Sequence, residues 1–253
     1  MNKTEINTQL NDVLLRQSFT TDAADVVTLD RCLLIAENYA IVENSLAVLS
    51  DLNKRRSYIF YGGLGELLGI GRKGESSVVD TIWEEEIFER IAQADILRKQ
   101  LDELKFFHFI RRSAPAVRSD YYMECTLQMC DKAGKWYSVR HRISYFAPPQ
   151  SDSIPMALCL YNIVPYVVGE SRIVNSRDGS VVSVAEENCA TILSEREKEI
   201  LSLISCGRQS KHIASQLSIS VNTVNRHRQN ILAKLGAGNS LEACSIAERL
   251  GII

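Results

Sequence analysis

C-x-x-C cysteine pairs and long apolar runs are missing from this sequence, and no leader segment is expected. Its 253 residues include 7 Cys, an odd number, and none of them forms a C-x-x-C motif, so neither a disulfide framework nor a four-cysteine zinc site is predicted. No stretch approaches the roughly 18 consecutive apolar residues of a membrane span, and residues 1–7 carry no apolar signal-peptide core. We therefore expect a soluble, cytoplasmic protein with no membrane partner.

Proline is also scarce, and the overall composition bounds the class of protein. The chain has 5 Pro and 13 Gly, with 45% hydrophobic and 24% charged residues. This composition is typical of globular chains and excludes collagen-like or low-complexity structure. A chain of this length predicts one large or two smaller domains, whose cores need neither disulfides nor a structural metal.

Acidic residues are absent from one segment, although the net charge of the chain is −2. Residues 191–253 hold eight basic and five acidic residues, so they carry +3 and the first 190 residues carry −5. Residues 200–241 contain no acidic residue, but they include five basic ones together with His212 and His227. A basic tail behind an acidic body is typical of nucleic-acid binding.

The tail begins with the signals of two short helices. Ser194 and Glu197 form an S-x-x-E capping box, and Gly207 ends the apolar pattern that follows it. A second apolar pattern over residues 209–217 is too short for a stable isolated helix. We therefore expect the second helix to be packed against its neighbours.

Two more helices complete the tail. Residues 218–220 form a turn, Ser220 caps a third helix over residues 221–235, and Gly236 ends it. Asn239, followed by Glu242, caps a fourth helix over residues 241–250, and Gly251 ends that helix. A short helix, a three- or four-residue turn and a longer helix form a helix-turn-helix, whose second helix enters the DNA major groove.

The third helix is predicted to have an apolar and a polar face, at about 100° per residue. The apolar face holds Val224, His227, Ile231 and Leu235. The polar face holds Asn222, Asn225, Arg226, Gln229 and Ala233. Amides pair with adenine and guanidinium groups with guanine, each contributing about 1–3 kcal/mol of discrimination. Residues nearer the edges suit phosphate contacts: Lys211, Arg228 and Lys234.

These residues resemble a known domain. The segments Leu193-Ser194-Glu195-Arg196-Glu197, Ser210-Lys211, Ser218-Ile219-Ser220, Thr223-Val224, His227-Arg228 and Lys234-Leu235-Gly236 are similar to the LuxR-type helix-turn-helix. The resemblance implies a four-helix domain that binds double-stranded DNA, usually as a homodimer on paired half-sites, with the fourth helix as dimer face. It implies base contacts by Asn225, Arg226 and Gln229, and backbone contacts by Thr223 and Lys211. It leaves contact with RNA polymerase open. The alternative is a solvated polar helix in another kind of four-helix tail.

The first 190 residues predict an α+β domain. Helical periodicity covers residues 5–15, 31–42, 64–68 and 82–112, and strand-like runs cover residues 46–52, 57–61, 122–129, 136–146 and 156–164. Two strands, then helices, then three strands predict an antiparallel sheet with helices on one face. A further hairpin is predicted over residues 173–182, around the turn Asp178-Gly179.

This order resembles a PAS domain, which we place at residues 43–168. The resemblance is carried by residues 47–51 and 58–61, as an opening hairpin, and by residues 67–70. N-terminal helices over residues 1–42 precede it, and a connector over residues 169–190 leads to the helix-turn-helix domain at residues 191–253. The resemblance implies a sensory or dimerising module, in which a small-molecule effector, when there is one, lies between sheet and helices.

The sequence identifies no cofactor or metal. The reactive cysteine segment of light-sensing flavin domains is not found, and only His108 and His141 are candidate haem ligands in this part of the chain. Isolated histidines in helices and strands are usually structural. We likewise expect His227 to be packed and hydrogen-bonded, because no His or Cys lies at ligand spacing from it.

Several other functions can be weighed against a transcriptional regulator. The G-x-G-x-x-G of residues 69–74 follows a helix, so a loop is expected there and not a dinucleotide site. Asp51 ends a strand as a receiver phosphoacceptor would, but the alternating strands and helices of a receiver are missing. The residue pattern of an acyl-homoserine lactone sensor is not found. An enzyme with an incidental tail would need a catalytic motif, and none is present, so we predict no catalytic residues.

Overall fold

The computed structural model describes residues 29–148, 152–166, 170–184, 193–235 and 237–249, with a few single positions near the ends of the chain. The chain divides into two compact units, residues 18–187 and residues 188–253 with residues 1–17. The helix predicted over residues 5–15 lies almost entirely outside the described residues, and residues 185–192 lie outside them too.

The first unit is built on an eight-stranded antiparallel sheet. Its strands are β1 (Leu46–Asp51), β2 (Arg56–Tyr61), β3 (Ser76–Val79), β4 (Tyr121–Cys130), β5 (Trp136–Phe146), β6 (Met156–Ile163), β7 (Arg172–Asn175) and β8 (Val181–Ser183). Its helices are α1 (Leu29–Val42), α2 (Gly63–Leu67), α3 (Glu85–Phe88) and α4 (Gln93–Arg112), with a 3₁₀ turn at Pro115–Asp120. The strands lie in the order β3-β2-β1-β6-β5-β4-β7-β8.

Both faces of the sheet are covered. On one face α2, α3 and α4 pack over β1, β2, β4, β5 and β6, where Leu68, Ile96 and Leu127 are among the buried residues. On the other face α1 packs over β1 and β6, through Cys32, Ala36 and Ala40. All six residues of β1 are buried, because a strand covered on both sides loses the alternation of polar and apolar residues. The helices were predicted on one face only, and α1 departs from that prediction.

The helix predicted over residues 82–112 is broken between α3 and α4. The amide of Ala92 donates to the carbonyl of Gln128 at 2.8 Å, and the amide of Cys130 donates to the carbonyl of Arg90 at 2.8 Å. Because β7 pairs with β4 only at the other end of that strand, these backbone groups of β4 find their partners in the segment between the helices. Tertiary pairing therefore overrides the helical periodicity.

The edges of the sheet contain one unpredicted and one predicted feature. β3 pairs with β2 at an edge, and its sequence Ser-Ser-Val-Val gave too little apolar alternation to be predicted. The predicted hairpin around Asp178-Gly179 is present as β7 and β8, and it extends the sheet beyond β4. Gly179 has φ = +76° in this turn. The G-x-G-x-x-G segment is a loop between α2 and β3, as predicted.

The second unit contains the four predicted helices: α5 (Glu195–Ser205), α6 (Ser210–Gln216), α7 (Val221–Leu235) and α8 (Ser240–Arg249). The capping box is present, since the Ser194 amide donates to Glu197 Oε2 at 2.8 Å and the Glu197 amide donates to Ser194 Oγ. Gly207 follows α5 with φ = +76°. The predicted fold class, an α+β first domain and an all-α four-helix second domain, is confirmed.

We predict that Ser194→Ala loosens the second unit at α5. The substitution removes the side chain that accepts from the Glu197 amide, which costs about 1 kcal/mol at a helix N-terminus. Hydrogen–deuterium exchange of the intact protein, followed by mass spectrometry, should show about fivefold faster opening of α5 amides. Ser202→Ala is the matched control on the exposed side of the same helix, and equal effects of both substitutions would contradict the role of the cap.

Candidate nucleic-acid interface and interior polar cluster

The turn between α6 and α7 fixes where α7 begins. Ser218 adopts a left-handed backbone conformation, with φ = +53°, and this reverses the chain after α6. Ser220 then caps α7, because its Oγ accepts from the amide of Thr223 at 3.0 Å. The hydroxyls of Ser220 and Thr223 lie 2.9 Å apart. The predicted helix-turn-helix geometry, with Ser220 as cap, is thus formed by local contacts.

A buried stripe anchors α7 in the domain. Val224, Ile231 and Leu235 are at most 1% exposed, and α7 packs against α5, α6 and α8. Asn222, Asn225, Arg226 and Gln229 are all exposed on the helix, and Lys211 is exposed on α6. The stripe and the polar face therefore lie where the helical period predicts them, and the amides and guanidinium group are available to a ligand.

His227 was predicted on the apolar face of α7. It is half-buried, as expected for a packed histidine. Its Nδ1 is buried and has no hydrogen-bond partner among the residues that the structure describes. The hydrogen bond that we expected is therefore not found at this nitrogen.

Arg228 on α7 connects this helix to α6 and α8 through hydrogen bonds. Its Nη1 donates to Ser210 Oγ at 3.1 Å, and its Nη2 donates to Ser240 Oγ at 2.8 Å. These serines are the first residues of α6 and α8. One guanidinium group thus ties the middle of α7 to the N-terminal ends of both neighbouring helices.

Lys234 makes a similar tie to α5. Its Nζ donates to Glu197 Oε2 at 2.6 Å, and the Glu197 side chain is 3% exposed while that of Lys234 is 43% exposed. Burial opposes ionisation of Glu197, but the hydrogen bonds from Lys234 and Ser194 outweigh it and lower the pKa of this carboxyl group. The same carboxylate therefore closes the capping box and holds the end of α7.

The interior of the first unit holds a charged cluster that the sequence did not reveal. Lys99 and Glu103, one turn apart on α4, are 3% and 5% exposed, and Lys99 Nζ donates to Glu103 Oε1 at 2.7 Å. His141 Nε2 lies 3.6 Å from the same oxygen. Burial lowers the pKa of His141 well below 6.5, and the charge of Lys99 acts in the same direction, so this imidazole is neutral.

Part of this cluster has the composition of a metal site. Glu103, His141 and Cys159 place their ligand atoms within 4.8 Å of one another, and carboxylate, imidazole and thiolate are zinc ligands. However, the Lys99 ammonium group already neutralises Glu103, and its positive charge opposes a dication at this point. Burial also raises the pKa of the Cys159 thiol well above 9.0. We assign no metal to these residues.

His108, considered as a haem ligand, and Asp51, considered as a phosphoacceptor, are both buried in the first unit. His108 is 2% exposed, and burial together with Arg111 and Arg112 lowers its pKa to about 3. Asp51 is 3% exposed at the end of β1, where its Oδ1 accepts from the amide of Lys54 at 2.9 Å. That hydrogen bond gives Asp51 a role in the β1–β2 turn.

Comparison with known families identifies the second unit. The family model for bacterial regulatory proteins of the luxR family matches residues 191–247, which include α5, α6, α7 and most of α8. The helices α5 to α8 of the second unit therefore form a LuxR-type helix-turn-helix domain, as the capping box, turn and buried stripe indicate.

Curated relatives match the same segment. The uncharacterized response regulatory protein YgeK of Escherichia coli is 43% identical over 60 residues, 24% of this chain and 41% of that protein. The quorum-sensing regulator RhlR of Pseudomonas aeruginosa is 48% identical over 61 residues, and the regulatory protein SdiA of Escherichia coli is 45% identical over 60 residues. Each of these two alignments covers 24% of this chain and 25% of the relative. The chain thus matches less than half the length of each of the three relatives.

Solved structures align with long parts of this chain, but their structural similarity to it is low. The VqmA dimer of Vibrio cholerae is 19% identical, with 90% of this chain and 89% of that chain covered, at a TM-score of 0.29. Escherichia coli SdiA is 19% identical, with 64% and 97% covered, at a TM-score of 0.26. Among the described residues, no helix combines the length and apolar character needed to cross a membrane.

We predict that Arg228→Met destabilises the helix-turn-helix domain, whereas Arg226→Met does not. Arg228 makes two hydrogen bonds within the domain, and each is worth about 0.5–1.5 kcal/mol, while Arg226 is exposed on α7. Hydrogen exchange of amides in α6, α7 and α8 checks the difference. Equal exchange in the two variants would show that the brace contributes nothing.

Proposed function

We propose that this protein is a sequence-specific, DNA-binding transcriptional regulator that acts in the cytoplasm and has no catalytic role. The observation that carries the proposal is the exposed polar face of α7, held by a buried stripe within a LuxR-type domain. Residues 200–241 contribute five basic residues and no acidic one to this domain, which favours a polyanion as partner.

The polar residues that we assign to DNA contact divide into two roles. Asn222, Asn225, Arg226 and Gln229 contact base edges in the major groove, because amides and guanidinium groups match adenine and guanine there. Lys211 and Thr223 contact the phosphate backbone and set the register.

Arg228 and Lys234 have a smaller role at the DNA. Their charged groups already hold α7 in place through Ser210, Ser240 and Glu197. Any phosphate contact that they make is therefore secondary to this positioning.

The first unit supplies the regulatory input. A sheet with helices on both faces and a partly polar interior is suited to hold a small-molecule effector, and the solved structures similar to this chain include one described as VqmA bound to DPO.

We propose that the protein acts as a homodimer, with α8 at the dimer face, where the Leu241 side chain is 82% exposed. An effector changes DNA affinity only through different affinities for two states of that dimer. We include RNA polymerase among the partners that we propose for the DNA-bound protein.

The proposal predicts different losses on removing Arg226 and Lys211. Arg226→Ala should relax the preference at one base position by about 1–3 kcal/mol. Lys211→Ala should weaken binding to all sequences and reduce the salt dependence by about one charge. Selection from a random duplex library, followed by affinity measurements at several salt concentrations, distinguishes these effects.

Lys54→Ala serves as control, since Lys54 is an exposed lysine in the first unit. It should change neither the preference nor the salt slope. Uniform weakening by both Arg226→Ala and Lys211→Ala would remove the assignment of Arg226 as a base contact.

A further inference from the structure

The strand β3 forms one edge of the eight-stranded sheet, where β2 is its neighbour. The amide of Tyr61 on β2 donates to the carbonyl of Glu75 at 3.0 Å, so this carbonyl points toward β2. Backbone groups alternate in direction along a strand of an antiparallel pair, so those of Ser77 point toward β2 as well. The groups of Ser76 and Val78 therefore point away from the sheet.

The outward amides and carbonyls of Ser76 and Val78 lack partners. None of these groups makes a hydrogen bond within the part of the chain that the structure describes. Both residues are exposed, and Val78 is 55% exposed although its side chain is apolar. The sequence of the strand, Ser-Ser-Val-Val, contains neither the proline nor the charged residue that protects many natural sheet edges. This edge is therefore open to a further strand.

The turn that leads into β3 is basic. Arg72 and Lys73 are both exposed. Glu75 is the one acidic residue in the sequence of residues 72–75. The start of β3 therefore carries a net positive charge.

The segment that follows β3 is acidic. Asp80, Glu85 and Glu86 are all exposed, and the Asp80 carboxylate accepts from Arg56 Nε at 2.7 Å. This pair leaves the two glutamates as excess negative charge. The two ends of β3 therefore carry opposite net charges.

These charges indicate which strand fits the edge. A strand that matches both ends must be acidic beside residues 72–75 and basic beside residues 80–86. The strand β3 itself has this pattern when it runs in the opposite direction, whereas a parallel copy would place like charges together.

We propose that β3 pairs with the β3 strand of a second copy of this chain, antiparallel and about a two-fold axis through Ser77. Ser76 of one copy then lies opposite Val78 of the other, and the two residues exchange both hydrogen bonds. All the outward backbone groups of each copy thus find partners, and the two sheets become one. The same patch serves both copies, as a two-fold contact requires.

The pairing also covers the exposed valines. Ser76 and Val78 point to the same face of the strand, so the two Val78 side chains are diagonal neighbours across the axis. The inference rests on the homodimer of the proposed function and deepens it, because it adds a contact between the first units to the contact proposed at α8.

Reversal of charge at either end tests the pairing. Lys73→Glu and Asp80→Lys, each by itself, place like charges together at both ends of the strand pair. Each should raise the dissociation constant of the full-length dimer about tenfold, measured by sedimentation velocity over a range of concentrations. An equimolar mixture of the two variants should associate as tightly as the wild type, because opposite charges then meet at both ends.

The matched control is Arg208→Glu, since Arg208 is an exposed basic residue of the second unit. It should leave the dissociation constant unchanged. Asp80→Lys breaks the ion pair with Arg56, whose side chains are 81% and 44% exposed, and such exposed pairs contribute little stability. Thermal unfolding should therefore show that both charge variants are folded.

Thiol cross-linking tests the register. The two copies of residue 77 form a non-hydrogen-bonded pair on the axis, with Cα atoms about 4.5 Å apart, within the range of a disulfide. Ser77→Cys should therefore give a covalent dimer under mild oxidation, in a background that carries Cys206→Ser because Cys206 is exposed. Ser76→Cys is the control, since residue 76 is more exposed but lies off the axis, and it should cross-link much less.

Three results would overturn the proposal: a mixture of the charge variants that associates no better than each alone, equal cross-linking of Ser76→Cys and Ser77→Cys, or a wild type that stays monomeric. Loss of the dimer in Leu241→Asp but not in Lys73→Glu would assign the contact to α8 alone. These experiments contain no DNA. Failure of the DNA-binding proposal is therefore measured separately, in the selection and salt experiments.

Discussion

The buried stripe of α7 is the constraint on which the proposed DNA contact depends. Val224, Ile231 and Leu235 must face the other three helices, because each would expose apolar surface in any other orientation. Once they are buried, the helical period leaves Asn222, Asn225, Arg226 and Gln229 on the outside. Packing energy therefore decides which side chains are offered to DNA, and the polar face needs no stabilisation of its own.

Charged hydrogen bonds fix the position of α7 relative to the other three helices of the domain. Arg228 reaches the first residues of α6 and α8, and Lys234 reaches the carboxylate that also caps α5. Basic residues in such a domain thus have two roles, DNA contact and internal positioning, and a partner within the domain distinguishes them, since Lys234 is itself 43% exposed. Within the part of the chain that the structure describes, the exposed side chains of Lys211 and Arg226 make no hydrogen bond or ion pair, whereas those of Arg228 and Lys234 bond to Ser210, Ser240 and Glu197.

Local signals were sufficient for the second unit. Ser194, Glu197, Gly207 and Ser220 lie within a few residues of the helix ends that they fix, and the buried stripe repeats at helical spacing, so all four helices were predicted. The partners of Arg228 and Lys234 were missed because they lie 12 to 37 residues away along the chain. The periodicity of α7 alone favoured phosphate contacts for both.

The first unit was harder to predict because its decisive contacts are long-range. The break before α4 is set by backbone pairing with β4, and the β3 strand is set by pairing with β2. The polar groups of the interior meet only in three dimensions, since Lys99 lies on α4, His141 lies on β5 and Cys159 lies on β6. Their spacing in the sequence carries no signal. The strands β5 and β6 were predicted because β5 alternates in burial and β6 is a nearly continuous apolar run.

Methylation interference tests the central claim, that α7 enters the major groove. On a duplex selected by the full-length protein, dimethyl sulfate methylates guanine N7 in the major groove and adenine N3 in the minor groove. The account predicts that methylation at guanine N7 within the site blocks binding of the wild type, and that one of these positions becomes insensitive in Arg226→Ala. Interference at adenine N3 alone would place the contact in the minor groove and contradict the account.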